Sequence, residues 1–196
     1  MVIKSAGSEK KRLIVIQFLD KEEGQTGYVL SKNVLQSSPY IGNVDFFSSS
    51  NKDDILKFIN IDIPELSVND NELGIYIDTH GFSTCDGIGH RNDFISWEEL
   101  VTALMKSFEN REILPIIILT ACNGISIKSI LDNLKRPICS KLYAGDGVML
   151  NGPVMGAFTR LFNEYGLEFG VKEIESINID LANHNNPPFV CVDYLK

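Results

Sequence analysis

Residues 115–126 read PIIILTACNGIS. The apolar run from Ile116 to Leu119 leads into Thr120-Ala121-Cys122, after which Asn123 and Gly124 turn the chain polar. A short apolar run bounded by turn residues reads as a strand buried on both faces. Cys122 therefore stands where a strand leaves the core. A thiol that only fills space can sit at any interior position, whereas one at a strand exit is displayed.

A second strand of the same build lies upstream. NDNELGIYIDTHG (69–81) is a polar turn, an apolar run from Leu73 to Ile77, and a polar tip ending in His80-Gly81. Between the two strands, SWEELVTALMKSFEN (96–110) places Trp97, Leu100, Val101, Leu104, Met105 and Phe108 at helical spacing, with Ser96 and Glu99 in a capping-box relation. Strand, helix and strand make one crossover unit. A right-handed crossover brings both strand ends to one edge of a parallel sheet. That carboxyl edge is where open α/β sheets carry their functional groups. Neighbouring strands run roughly 5 Å apart, so His80 and Cys122 are expected to face each other across a shallow cleft.

The rest of the chain extends the alternation. LIVIQFL (13–19) reads as a first buried strand, VDFF (44–47) as a short second one, ICSKLYAGDG (138–147) as a fifth, and PPFVCVDYLK (187–196) as the last. Helices are expected from about residue 51, where a Ser or Asn cap precedes Ile55, Leu56, Phe58 and Ile59, and over 124–135, 152–166 and 170–185. Residues 22–43, broken by Gly, Ser and Pro, read as loop with one or two helical turns, 82–94 as a loop or small hairpin, and 1–11 as a flexible lead-in. The pattern predicts a single domain over 1–196: a three-layer α/β/α sandwich around a mostly parallel sheet of about six strands.

Composition bounds the function. With 196 residues, 44% hydrophobic and 22% charged, the chain can bury a full core. A net charge of −8 argues against a nucleic-acid backbone or an anionic membrane as partner. No apolar run reaches 18 residues, and no small-residue cleavage site follows RLIVIQFLD, so neither a membrane span nor a signal peptide is expected. Four cysteines without paired spacing fit a reducing, cytoplasmic setting. There is no CxxC, and His80, His90 and His184 lack zinc-ligand spacing, so no metal and no cofactor are expected.

What remains is a thiol and an imidazole. A thiol with an ordinary pKa of about 8.5 is only a few per cent thiolate at neutral pH. A nearby imidazole, and the N-terminus of the helix expected to start near Gly124, both favour the thiolate. A thiolate attacks a carbonyl carbon, and the oxyanion that develops needs donors. The backbone N–H groups of Cys122 and Gly81 are the candidates, Gly81 because the absence of Cβ permits close approach. The imidazole then returns a proton to the leaving amine.

These residues resemble a known family. A strand ending in His-Gly, followed by a strand ending in Ala-Cys, is the pattern of caspase-like cysteine peptidases of clan CD. Where caspases show Gln-Ala-Cys, this chain has Thr120-Ala121-Cys122-Asn123-Gly124. It is more similar to the bacterial CHAT group, which AGDGVMLNGPVMGAFTRLFNEYG and NNPPFVCVDYL also resemble. The likeness covers roughly 69–196, with VDFFSSSNKDDILKFI as an upstream echo. It implies His80 as general acid/base, Cys122 as nucleophile, Gly81 as oxyanion donor, a protein or peptide substrate, and a regulated effector in bacterial defence or cell death. A regulatory partner protein or a small-signal sensor would then control it. The dyad of such enzymes needs no third carboxylate, and none is assigned.

Acids outnumber bases near the expected cleft. Asp146, Asp78 and Asp86 are the candidate substrate-binding residues, with Asp93 also close and Arg91 the nearest base, which favours a basic residue before the cleaved bond. Cys139 and Cys191 read as core, Cys85 as an incidental exposed thiol, His90 and His184 as solvated loop residues, and Trp97 as core. Two other functions stay open: a catalytically inactive caspase-like adaptor, and another thiol acyl-transfer enzyme on a flavodoxin-like sheet. No nucleophile-elbow GxCxG supports the latter.

Overall fold

The computed structural model describes residues 11–20, 22–91, 93–108 and 111–195. The expected lead-in falls outside the described residues, apart from Lys11, which opens the first strand.

The strands are β1 (Lys11–Phe18), β2 (Asn43–Ser48), β3 (Glu72–Gly81), β4 (Gly87–His90), β5 (Asp93–Ser96), β6 (Ile116–Thr120), β7 (Lys141–Gly145) and β8 (Phe189–Asp193). The main sheet runs β2-β1-β3-β6-β7-β8. Its first five strands are parallel, and β8 is antiparallel to β7. The β4–β5 hairpin continues from the tip of β3. The expected three-layer sandwich is therefore observed.

Side-chain alternation sorts the core onto two faces. Ile14, Ile16, Ile75, Ile77, Ile117 and Leu119 face one layer. That layer holds a helical stretch of α2 (Lys52–Lys57), a π-helical turn (Phe58–Asp62) and α3 (Ile63–Leu66), together with α4 (Trp97–Phe108) and α5 (Lys128–Leu131). Leu13, Val15, Tyr76, Ile118 and Tyr143 face the other layer, built from α1 (Thr26–Ser37), α6 (Asn151–Tyr165) and α7 (Val171–Ala182). Phe158 and Phe162 of α6 lie against Tyr76 with ring centroids 5.8 and 6.4 Å away. Aromatic burial of this kind is worth about 1.5–3 kcal/mol per side chain.

Local chemistry explains the starts of the helices. Asn51 accepts hydrogen bonds from the Asp53 and Asp54 N–H groups at the start of α2. At α4, Ser96 N–H donates to Glu99 while Glu99 N–H donates to the Ser96 hydroxyl, the reciprocal pair read from sequence.

Two expectations need correction. Residues 22–43, expected as loop with one or two helical turns, contain the 12-residue helix α1. Its anchoring apolar side chains are mainly Leu30 and Val34, one turn apart and fully buried, and its first turn has no side-chain cap of its own. The helix expected over 124–135 is a 3₁₀ turn (Gly124–Ile127) followed by the single turn of α5. Asn123, at φ 54°, swings the chain away from a straight helical start.

Candidate active site

β3 and β6 pair from Gly74↔Ile116 to Asp78↔Thr120. His80 and Cys122 each lie two residues beyond that last rung, so both leave the sheet at the same height. Alternation turns them to the same face as Tyr76 and Ile118, and Cys122 packs against the core of that face. A Cβ built on Gly81 would come within 1.7 Å of the Cys122 carbonyl oxygen. Gly81 is therefore glycine because the backbone of Cys122 lies against it. This close approach is to the strand that ends in Cys122.

The thiol and the imidazole share no hydrogen bond. Cys122 Sγ accepts one from the Met149 N–H at 3.3 Å, and His80 Nε2 lies 2.8 Å from Glu23 Oε1. Met149 stands two residues before α6, so this N–H comes from the segment that leads into that 15-residue helix. The helix expected at Gly124 begins as a four-residue 3₁₀ turn. The segment before α6 is further fixed by Leu150 N–H donating to Asn186, and by Asn123 N–H donating to the Gly147 carbonyl.

Beneath the pair lies a polar rung. Gln17, Asp78 and Thr120 are register partners on β1, β3 and β6, and each is almost fully buried. Asp78 accepts from the Thr26 hydroxyl at 2.5 Å and the Gly27 N–H at 2.7 Å, and stands 3.5 Å from Asn151 Nδ2. Gln17 Oε1 accepts from Gly27 and Tyr28 N–H. The rung thus supplies the cap that α1 lacks. Burial pushes the Asp78 carboxyl above its ordinary range, opposed by the Thr26 and Gly27 hydrogen bonds. Asp78, expected to bind substrate, is only 1% exposed and turned to the start of α1. Its place in the structure is that of an anchor, because a carboxylate on the same side of β3 as His80 but one rung lower points into the α1 layer.

The other expected acids are exposed. Asp86 lies in the β3–β4 connection and accepts from the Thr84 hydroxyl. Asp146 follows β7, its N–H donating to the Pro188 carbonyl. Both belong to the carboxyl edge that carries His80 and Cys122. His90, expected in solvent, is instead 5% exposed: its Nε2 lies 2.8 Å from the Ser50 carbonyl and its ring meets Phe18 edge-on. The hairpin formed from 82–94 folds it inward. His184 is exposed as expected. Cys139 and Trp97 are core, and the Trp97 indole N–H donates to the Cys85 carbonyl. Cys85 and Cys191 are part-exposed. Sequence reasoning missed Glu23 and Met149, which come from connections whose geometry no periodicity encodes.

Among the described residues, no cluster of three or more His, Cys, Asp or Glu side chains is placed to hold a metal ion, and no helix is long and apolar enough to cross a membrane. A cavity of about 670 Å³, lined by Met105, Phe108, Arg111, Leu134 and Arg136 among others, lies away from the thiol. A second of about 450 Å³ sits at the carboxyl ends of β1 and β2, between Gln17, Asp20, Gln25, Ser48 and Asp54.

Comparison with solved structures gives the fold its class. The chain is similar to caspase-1 from Spodoptera frugiperda, with a TM-score of 0.62 and 14% identity over 98% of this chain and 92% of that one. It is also similar to the structure of pro-sf-caspase-1, with a TM-score of 0.59 and 13% identity over 96% and 92%. The fold is caspase-like. No protein-family model matches the sequence, and no curated protein matches it.

Proposed function

We propose that this chain is a cysteine endopeptidase with His80 and Cys122 as its catalytic dyad. The observation that carries the reading is the common height of the two residues on neighbouring strands, with Gly81 packed against the Cys122 backbone. The Cys122 proton passes to His80, and the thiolate attacks the scissile carbonyl carbon. The Cys122 and Gly81 N–H groups bind the oxyanion. His80 then protonates the departing amine, leaving a thioester on Cys122. Water, deprotonated by His80, cleaves that thioester and frees the enzyme. The Met149 N–H stabilises negative charge on sulfur before attack.

Exposed Asp146 follows β7, exposed Asp86 lies in the β3–β4 connection, and Asp20 and Asp54 line the neighbouring cavity. That distribution supports a substrate with a basic residue before the cleaved bond, with Asp146 the main determinant. The likeness of 69–196 to the CHAT group supports an effector in bacterial defence or cell death, held in check by a partner protein or a small signal and acting in the cytoplasm.

One observation favours a second reading. The thiol and imidazole are engaged with Met149 and Glu23 and not with each other, as they would be in an inactive adaptor that keeps the fold. Iodoacetamide separates the two readings. A peptidase alkylates rapidly at Cys122, and wild type cuts a fluorogenic peptide that Cys122→Ala leaves intact. An adaptor does neither.

A further inference from the structure

We propose that Glu23 is the positioning residue for His80, making the site a Glu23–His80–Cys122 triad. This rests on the peptidase reading of His80 and Cys122, and it adds a carboxylate that neither the sequence pattern nor the fold assigns.

Three observations carry it. First, Glu23 Oε1 lies 2.8 Å from His80 Nε2, a hydrogen-bonding distance. Second, Glu23 is itself held: its other oxygen, Oε2, accepts the Asp20 N–H at 2.7 Å. A carboxylate with one oxygen on the backbone and one on an imidazole is oriented, which is what an orienting group requires. Third, the pair sits where the fold brings two connections together. Chain order runs outward from β1 to β2 in one direction and from β3 to β6 in the other, so the strand order reverses between β1 and β3. Functional groups of open α/β sheets gather in the crevice at such a reversal. Glu23 comes from the β1–α1 connection and His80 from the end of β3.

The alternative carboxylate is Asp78, but its oxygens are committed to Thr26, Gly27 and Asn151. The polar rung that occupies Asp78 serves Glu23 indirectly. By fixing the first turn of α1, Gln17 and Asp78 fix the end of the connection that carries Glu23.

The consequence is tautomeric. Glu23 accepts a hydrogen bond from Nε2–H, so the neutral ring carries its proton on Nε2 and leaves Nδ1 unprotonated to take the thiol proton. When His80 becomes the imidazolium, Glu23 stays ionised and faces the new charge. No proton reaches Glu23. Side-chain exposures of 44% for His80 and 36% for Glu23 leave the ring open to substrate and the pair partly screened by water, so the expected effect is modest.

The test uses the full chain with Glu23→Gln and Glu23→Asp, and Cys122→Ala as the control for the peptidase reading. On a fluorogenic peptide that wild type cleaves, Glu23→Gln is expected to lower kcat about tenfold with KM within twofold, and Glu23→Asp to recover part of the loss. Ring ¹⁵N shifts of His80 give a readout that needs no substrate: the Nε2–H tautomer in wild type and a mixture in Glu23→Gln. A Glu23→Gln protein with wild-type kcat and an unchanged tautomer would overturn the assignment. Cleavage that persists in Cys122→Ala would overturn the dyad instead, and the ¹⁵N result would then judge the Glu23–His80 pair alone.

Discussion

Two cysteines at opposite edges of the same sheet have opposite fates. Cys139 lies ahead of β7 at the amino edge, 1% exposed, and burial pushes its thiol up to about 12. Cys122 lies just past β6 at the carboxyl edge, part-exposed, and receives an N–H from the segment that starts α6. One residue type becomes a space-filling group at one end of the sheet and, at the other, the part-exposed thiol proposed as nucleophile. The difference lies in what the sheet edge adds. Parallel strands send their carboxyl ends into connections that converge on the thiol, whereas Cys139, at the amino edge, packs into the apolar core of one face.

Alkylation tests that contrast directly. Mass mapping after a short iodoacetamide pulse at pH 8 should find Cys122 modified far ahead of Cys139, which should react only on unfolding. Equal labelling of the two would erase the distinction.

Substitutions sharpen it further, in order of expected effect. Gly81→Ala should be the most damaging, lowering kcat/KM on the cleaved peptide by about 100-fold, since the added methyl must displace the Cys122 backbone. Asp146→Lys should shift the preference between Arg and Asp peptides by about tenfold, roughly 1.4 kcal/mol, without altering the melting temperature. Cys139→Ala should cost about 1 kcal/mol of stability in urea unfolding and leave kcat as it is, because its thiol only packs.

The smallest effect is a pH slope from Asp78. Its folded pKa is raised above the ordinary 3.8, so the native state holds a proton that the unfolded chain has released. Its stabilising contribution is complete below that ordinary value and is lost as pH rises through the raised one. Asp78→Asn should therefore flatten the decline in urea midpoint over this window relative to wild type.

Much of this contrast was legible in the sequence. The runs ending in His80 and Cys122 are continuous, apolar and tipped by polar residues, so both strands and their exits could be read from 69–81 and 115–126. The capping pair Ser96 and Glu99 is likewise local and was visible. Helix α1 was hidden because its cap comes from Gln17 and Asp78, the latter 52 positions from Thr26, and no local pattern records that. The inward turn of His90 depends on the β4–β5 hairpin closing over Phe18. Met149 reaches Cys122 across 27 positions. Glu23 meets His80 across 57. Contacts of this kind are set by how connections pack at the sheet edge, not by periodicity within an element.

The carboxyl-edge thiol is proposed to cleave peptides. Fluorogenic peptides that differ only in Arg, Lys, Asp or Leu before the scissile bond, offered to wild type and to Cys122→Ala, test it most directly. The expected result is release of fluorophore after Arg or Lys by wild type and none by Cys122→Ala, with equal melting temperatures for the two proteins. Equal cleavage by both proteins would contradict the claim, as would no cleavage of any peptide by a wild-type protein whose Cys122 also resists alkylation.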